Sequence, residues 1–225
     1  MPDATRRPIA GRLQRASAAL LCVLLALAPT AAQAQSREDL AQFSVNAGAL
    51  TFSKVPALPT LKAVALNGKA QTTSTKMTNI GIDNASGSEA GWNVTVVGET
   101  GAGDRAVFTQ YCPAAKCGAT PEGYVAGGVT LSADSLALNS TGARFRALAG
   151  SSGAAPTFKC AAGCFVDSAT PVKIISAEVK TALGTWQTAG FTATSLALAT
   201  PSTLRVLPAT EVYRVNLLWT LSTGP

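Results

Sequence analysis

The sequence contains no histidine in 225 residues. That removes the most frequent general base and the commonest metal ligand. No Ser-x-x-Lys is present to supply a Ser–Lys pair, and the acidic residues form no cluster. A carboxylate pair assembled from distant strands, as glycosidases use, leaves no trace in sequence. These absences point to a protein that is not an enzyme and carries no cofactor. Charged residues make up only 13% and aromatics 6%, and the cations are scattered singly. A nucleic-acid surface needs clustered cations with aromatics between them, so no nucleic-acid partner is expected. Long apolar runs are missing after residue 27, so no spanning segment is expected in the rest of the chain.

The start of the chain accounts for much of the charge. Arg6, Arg7, Arg12 and Arg15 precede or open an apolar run from Ala16 to Leu27, and Ala32-Gln33-Ala34 follows. Basic region, short apolar run and small-x-small box are the marks of a secretory signal, so residues 1–34 are expected to be removed. The run is shorter than the roughly 20 residues that span a membrane. Setting aside these four Arg and Asp3 lowers the formal net charge from +6 to +3. Such a balance supports only weak, salt-screened attraction to an anionic surface.

Cysteine usage agrees with export. Cys22 lies within the signal; Cys112, Cys117, Cys160 and Cys164 remain. An even number in an exported chain reads as disulfides. Three pairings are possible. Local loops 112–117 and 160–164 are favoured, since a short turn with Pro113 or Gly163 brings each pair together. Zinc is disfavoured by the spacing, the missing histidine and the oxidising compartment, so no metal is expected.

The rest reads as β-structure. Residues 35–48 form a leader, amphipathic from Ser36 to Phe43, and residues 49–225 a single domain with Cys-containing loops at 100–128 and 149–171. Trp92, Val94 and Val96 alternate with Asn93, Thr95 and Val97. Tyr213, Val215, Leu217, Trp219 and Leu221 alternate with Arg214, Asn216, Leu218, Thr220 and Ser222. A period of two places each set on one face of a strand. Further strands are expected at Leu50–Val55, Leu61–Leu66, within Ala70–Asp83, Val129–Leu138, Ala143–Leu148, Val172–Val179, Thr185–Thr194, Leu196–Leu198 and Leu204–Leu207. Asn67-Gly68 marks a hairpin turn. Many short, mostly antiparallel strands between turn signals predict an all-β sandwich or barrel-like domain.

Two motif matches fail on context. Gly101-Ala102-Gly103-Asp104-Arg105-Ala106 has dinucleotide-site spacing, but that chemistry needs a following helix, and Pro113 and Cys112 stand there instead. Leu207-Pro208-Ala209-Thr210-Glu211 has the form of a sortase site, but the segment behind it reads as a strand.

The closing residues resemble the end of WxL-domain proteins, a family of exported bacterial surface proteins. Leu207-Pro208, Tyr213, Trp219-Thr220-Leu221 and Pro225 match the final motif. Gly91-Trp92-Asn93-Val94 matches the first, with Val94 where the family has Leu, and Gly184-Thr185-Trp186 resembles a stretch ahead of the last strands. The likeness runs from about Leu50 to Pro225; the two Cys loops are not a family hallmark. The resemblance implies an all-β domain attached non-covalently to bacterial cell-wall peptidoglycan, sometimes with partner surface proteins, and so a secreted, wall- or surface-located chain. Trp92, Val94, Trp219 and Leu221 are its motif residues. Both Trp are expected to be mostly buried, as mid-strand Trp usually is. The other reading is a structural or assembly subunit of a surface layer or appendage. An apolar edge able to accept a strand favours that reading; a cleft with aromatic and amide groups favours wall binding.

Overall fold

The computed structural model describes residues 42–113, 117 and 122–225. The expected signal and the first residues of the expected leader lie outside these. Residues 45–225 form one compact unit, and among the described residues no helix is long and apolar enough to cross a membrane.

The all-β expectation holds. The strands are β1 (Leu50–Lys54), β2 (Gln71–Thr75), β3 (Gly81–Asn84), β4 (Trp92–Gly98), β5 (Thr109–Cys112), β6 (Gly123–Tyr124), β7 (Leu136–Leu138), β8 (Arg144–Ala147), β9 (Thr157–Phe158), β10 (Cys164–Phe165), β11 (Val172–Ala177), β12 (Gly184–Ala189), β13 (Leu196–Thr200), β14 (Val212–Arg214) and β15 (Leu217–Thr223). They make four antiparallel sheets, in the orders β1-β3-β12-β8, β10-β7-β13-β2, β15-β4-β11-β9 and β14-β5-β6.

The two tryptophan stretches are neighbours. β4 pairs with β15 along its whole length, from Trp92 opposite Thr223 to Gly98 opposite Leu217. On β4 the period of two is complete: Trp92, Val94 and Val96 are fully buried, and Asn93, Thr95 and Val97 are half-buried. On its other side β4 pairs with β11, whose register shifts between Lys173 and Ile175. Past Lys173 the residues Ile174 to Ala177 are all buried, so β11 shows no alternation there. Ile82, Trp186, Leu136, Leu138 and Leu196 complete the same core from four strands in two other sheets.

Gly91 explains why a glycine precedes Trp92. Its φ is +77°, and a Cβ would lie 2.5 Å from the Ala177 carbonyl oxygen. Both the conformation and the close approach require glycine. Its carbonyl accepts the Gly224 N–H, which holds the chain end against the start of β4.

Two expectations need correction. The closing alternation is not one strand. β14 ends at Arg214 and pairs with β5, while β15 starts at Leu217 and pairs with β4. The Asn216 N–H turns aside to the Arg105 carbonyl, and its own carbonyl accepts the Glu99 N–H. Leu61–Leu66 and Leu204–Leu207 are not strands either, although β2 and β3 fall where Ala70–Asp83 was expected to be extended. Pro56 and Pro59 precede the first segment, and Pro201 and Pro208 bracket the second. A proline lacks the N–H a ladder needs and restricts the residue before it. Trp219, expected to be mostly buried, packs against the core with a minor part of its surface in water, because β15 lies at the edge of its sheet.

Both local disulfides are present, with Cα–Cα distances of 5.6 Å for Cys112–Cys117 and 5.1 Å for Cys160–Cys164. Gly163 donates its N–H to the Cys160 carbonyl at a φ of +97°, closing the second loop directly into β10.

Candidate functional site

A groove of about 770 Å³ lies beside β7 and β13. Ligand sites commonly occupy roughly 300–1,000 Å³. Leu131, Leu136, Leu196 and Leu198 form its floor with Phe108. These residues all belong to the common core and are at most 7% exposed, so the groove lies directly over the hydrophobic interior. One wall is the segment 58–66; the other is 204–215. Leu61, Val64, Leu204 and Leu207 are half-buried along these walls, while Leu66 and Val206 are exposed, Val206 at 82%. Lys62, Arg205, Arg214 and Glu211 are the charges along it.

The walls are held by side chains rather than by backbone ladders. Thr73 Oγ1 donates to the Lys62 carbonyl at 3.0 Å, and Gln71 Nε2 to the Ala65 carbonyl at 2.8 Å. Thr78 Oγ1 accepts the Ala57 N–H and donates to the Ala57 carbonyl. On the far wall, Tyr213 donates its hydroxyl to the Arg205 carbonyl at 2.8 Å. The Leu204 N–H closes a turn on Pro201, and the Glu211 N–H a turn on Pro208. Among the described residues, no backbone hydrogen bond joins 58–66 or 205–207 to a neighbouring strand. Backbone polar groups are normally paired or solvated; apart from the Lys62, Ala65 and Arg205 carbonyls, which accept side chains, the backbone groups of 61–66 and 205–207 are left without ladder partners beside an apolar floor.

A second grouping surrounds β5, β6 and the β14–β15 break. Tyr111 donates to Glu122 Oε1 at 2.5 Å, and Tyr124 donates to Asn216 Oδ1. Asn216 Nδ2 donates to Asp104 at 2.7 Å, and Gln110 donates to Glu211. Arg214 lies 4.3 Å from the Tyr111 ring centre and Arg105 5.3 Å from that of Tyr124. The two rings meet edge to face at 5.0 Å. The Glu122 hydrogen bond and then burial raise the Tyr111 hydroxyl above the ordinary phenol range; burial does the same to Tyr124, against Arg214. The Gly101–Ala106 stretch is part of this network. The Asp104 N–H turns back to the Gly101 carbonyl, so the glycines make a turn and no helix follows. The amides, rings and charges satisfy one another on a surface rather than converging on a cleft.

The motif residues lie elsewhere. Val94 and Leu221 are direct cross-strand partners, as are Val96 and Trp219. Trp92 Nε1 donates to the Ala182 carbonyl at 3.2 Å inside the core, which leaves it no part in a surface site. None of Trp92, Val94, Trp219 and Leu221 lines the groove. Among the described residues no group of three His, Cys, Asp or Glu is placed to hold a metal.

One buried acid escaped sequence reading. Asp167 is fully buried, and its carboxylate accepts the Leu136 N–H at 2.8 Å and the Ser135 N–H at 3.1 Å. Burial raises its pKa, opposed by those two N–H groups. It fixes the start of β7, whose Leu136 is part of the groove floor.

The fold and site thus define an all-β sandwich with an apolar groove between two segments that lack ladder partners. No family model, curated protein or solved structure matches the chain.

Proposed function

We propose that this chain is an exported, non-catalytic surface protein that works as a structural or assembly subunit, binding an extended segment of a polypeptide in the groove. The supporting observation is the coincidence of an apolar floor with two walls whose backbone groups have no ladder partner. An incoming extended chain offers both things such a slot lacks: N–H and C=O groups for the walls and alternate apolar side chains for the floor. A saccharide would leave the leucine floor facing its hydroxyl groups.

Association with cell-wall peptidoglycan through a WxL-like domain is the second reading. It draws on the resemblance of the closing strand and on the Tyr111–Tyr124–Asn216 grouping, whose rings and amides suit sugar recognition. Two variants separate the readings in the producing cell. Val206→Glu places a charge in the groove at an exposed position. Tyr124→Ala breaks the aromatic–amide grouping. The protein-partner reading expects Val206→Glu to be released into the medium, Tyr124→Ala to be retained, and purified 35–225 to stay off protein-free walls. Equal sedimentation of wild type and Val206→Glu with protein-free walls, lost in Tyr124→Ala, would replace it with the wall reading.

A further inference from the structure

The segment that leads into β1 is as unclaimed as the groove. Residues 41–47 read Ala-Gln-Phe-Ser-Val-Asn-Ala, so Ala41, Phe43, Val45 and Ala47 fall on one face of an extended chain and Gln42, Ser44 and Asn46 on the other. Phe43 is 91% exposed and Val45 79%. No other Phe approaches this exposure among the described residues. A domain of this size has no reason to leave an alternating Phe and Val in water unless something else receives them.

Resting on the protein-partner reading above, we propose that the groove receives the segment Ala41–Ala47 of a second copy of this chain, added as an extended strand between the walls 61–66 and 204–207. Length agrees: six residues of wall and six or seven of incoming strand both extend roughly 20 Å. Side-chain chemistry agrees, since Phe43 and Val45 bring alternate apolar groups to a floor of leucines. Charge agrees too. Arg37, Glu38 and Asp39 just ahead of the segment sum to −1, whereas Lys62, Arg205, Arg214 and Glu211 along the groove sum to +2.

Connectivity selects a second copy over the same one. The Gly48 N–H is bonded to the Ala85 carbonyl at 2.9 Å and the Ala85 N–H to the Ala49 carbonyl at 3.1 Å. This ties the segment to the Leu50 end of β1, where Leu50 faces Asn84. The groove wall grows from the other end of β1, beyond Lys54. Insertion of one copy's segment into the next copy's groove is a heterologous contact. Unless the rotation closes a ring, such contacts propagate an open chain of subunits.

The test uses purified 35–225 and two variants, Phe43→Glu, which spoils the segment, and Val206→Glu, which spoils the groove. Both positions are exposed, so both variants should melt close to the wild type. Sedimentation velocity across a concentration series should show wild type growing beyond a dimer, and each variant weakened at least about tenfold. Mixed together, the variants should form heterodimers and nothing larger, because one supplies an intact segment and the other an intact groove. A synthetic peptide of residues 36–47 should block assembly and slow amide exchange in 61–66 and 204–207. A wild type that remains monomeric, with no response to the peptide, overturns the self-assembly inference. So does a monomer whose wall amides are protected until Phe43→Glu is introduced, which would mean capture within one chain. If Phe43→Glu stays on the cell surface while Val206→Glu is released, the self-assembly inference fails and the protein-partner reading stands. Release of neither variant would remove that reading as well.

Discussion

Replacing Trp92 with alanine should cost this fold about 4–6 kcal/mol. The indole is fully buried at the head of β4 and its N–H is bonded to the Ala182 carbonyl. Truncating a buried Trp typically costs about 3–5 kcal/mol in lost burial and residual cavity. The orphaned carbonyl adds about 1 kcal/mol more. Trp219, half-buried on the edge strand across from Val96, should cost less, about 1–3 kcal/mol when truncated, since part of its surface already meets water. Denaturant melts followed by far-UV circular dichroism read both losses, with an unchanged slope confirming that the denatured state is not altered. Domains of this kind commonly have about 5–15 kcal/mol in total, so Trp92→Ala is expected to be barely folded. Trp92→Phe then provides the measurable case, at about 1–3 kcal/mol, because most apolar area is kept and the hydrogen bond is lost. A loss below about 1 kcal/mol for Trp92→Ala would refute the reasoning. An equal loss at Trp219 would refute the assignment of β15 as a cover rather than a core element.

Gly91→Ala should destabilise by about 2 kcal/mol or more, because the new Cβ meets the Ala177 carbonyl and φ is +77°; a melt unchanged within about 0.5 kcal/mol would contradict this. Asp167 has a raised folded-state pKa. The native state therefore holds its proton at pH values where the unfolded chain has released it, and stability should fall as pH rises from about 3.8 through the folded pKa. Asp167→Ala should abolish that slope while orphaning two buried N–H groups, at about 2 kcal/mol or more; a pH profile identical to wild type would refute the assignment. Opening either disulfide by a paired Cys→Ser change should cost only about 2 kcal/mol, since each closes a loop of a few residues. A loss of fold on mild reduction would show that the loops do more than this.

Where pattern and packing agree, the sequence was readable. β4 was legible because Trp92, Val94 and Val96 face one core and every second residue faces away from it. β15 was legible for its alternation, but its edge position was not, since sheet order depends on pairings with β4 that no local pattern carries. β6, β9 and β10 have two residues each, too few to show a period. β5 was hidden by its loop-like Gly, Pro and Cys surroundings. The groove was half visible. Leu61–Leu66 and Leu204–Leu207 have the apolar pattern of strands, but the strands read from them do not form. Its floor was invisible, because Phe108, Leu131 and Leu198 meet only through the sheet topology. Asp167 was unreadable for a similar reason: its two partners are about 30 residues away, at 31 and 32.

The most direct measurement is a photo-cross-linking side chain at position 206, introduced into the chain in its producing cell and followed by mass spectrometry of the adduct. The groove account predicts a polypeptide adduct, and the self-assembly inference assigns it to residues 36–47 of another copy. Cell-surface retention with no polypeptide attached at position 206 would contradict the claim that the groove is where this protein meets its partner.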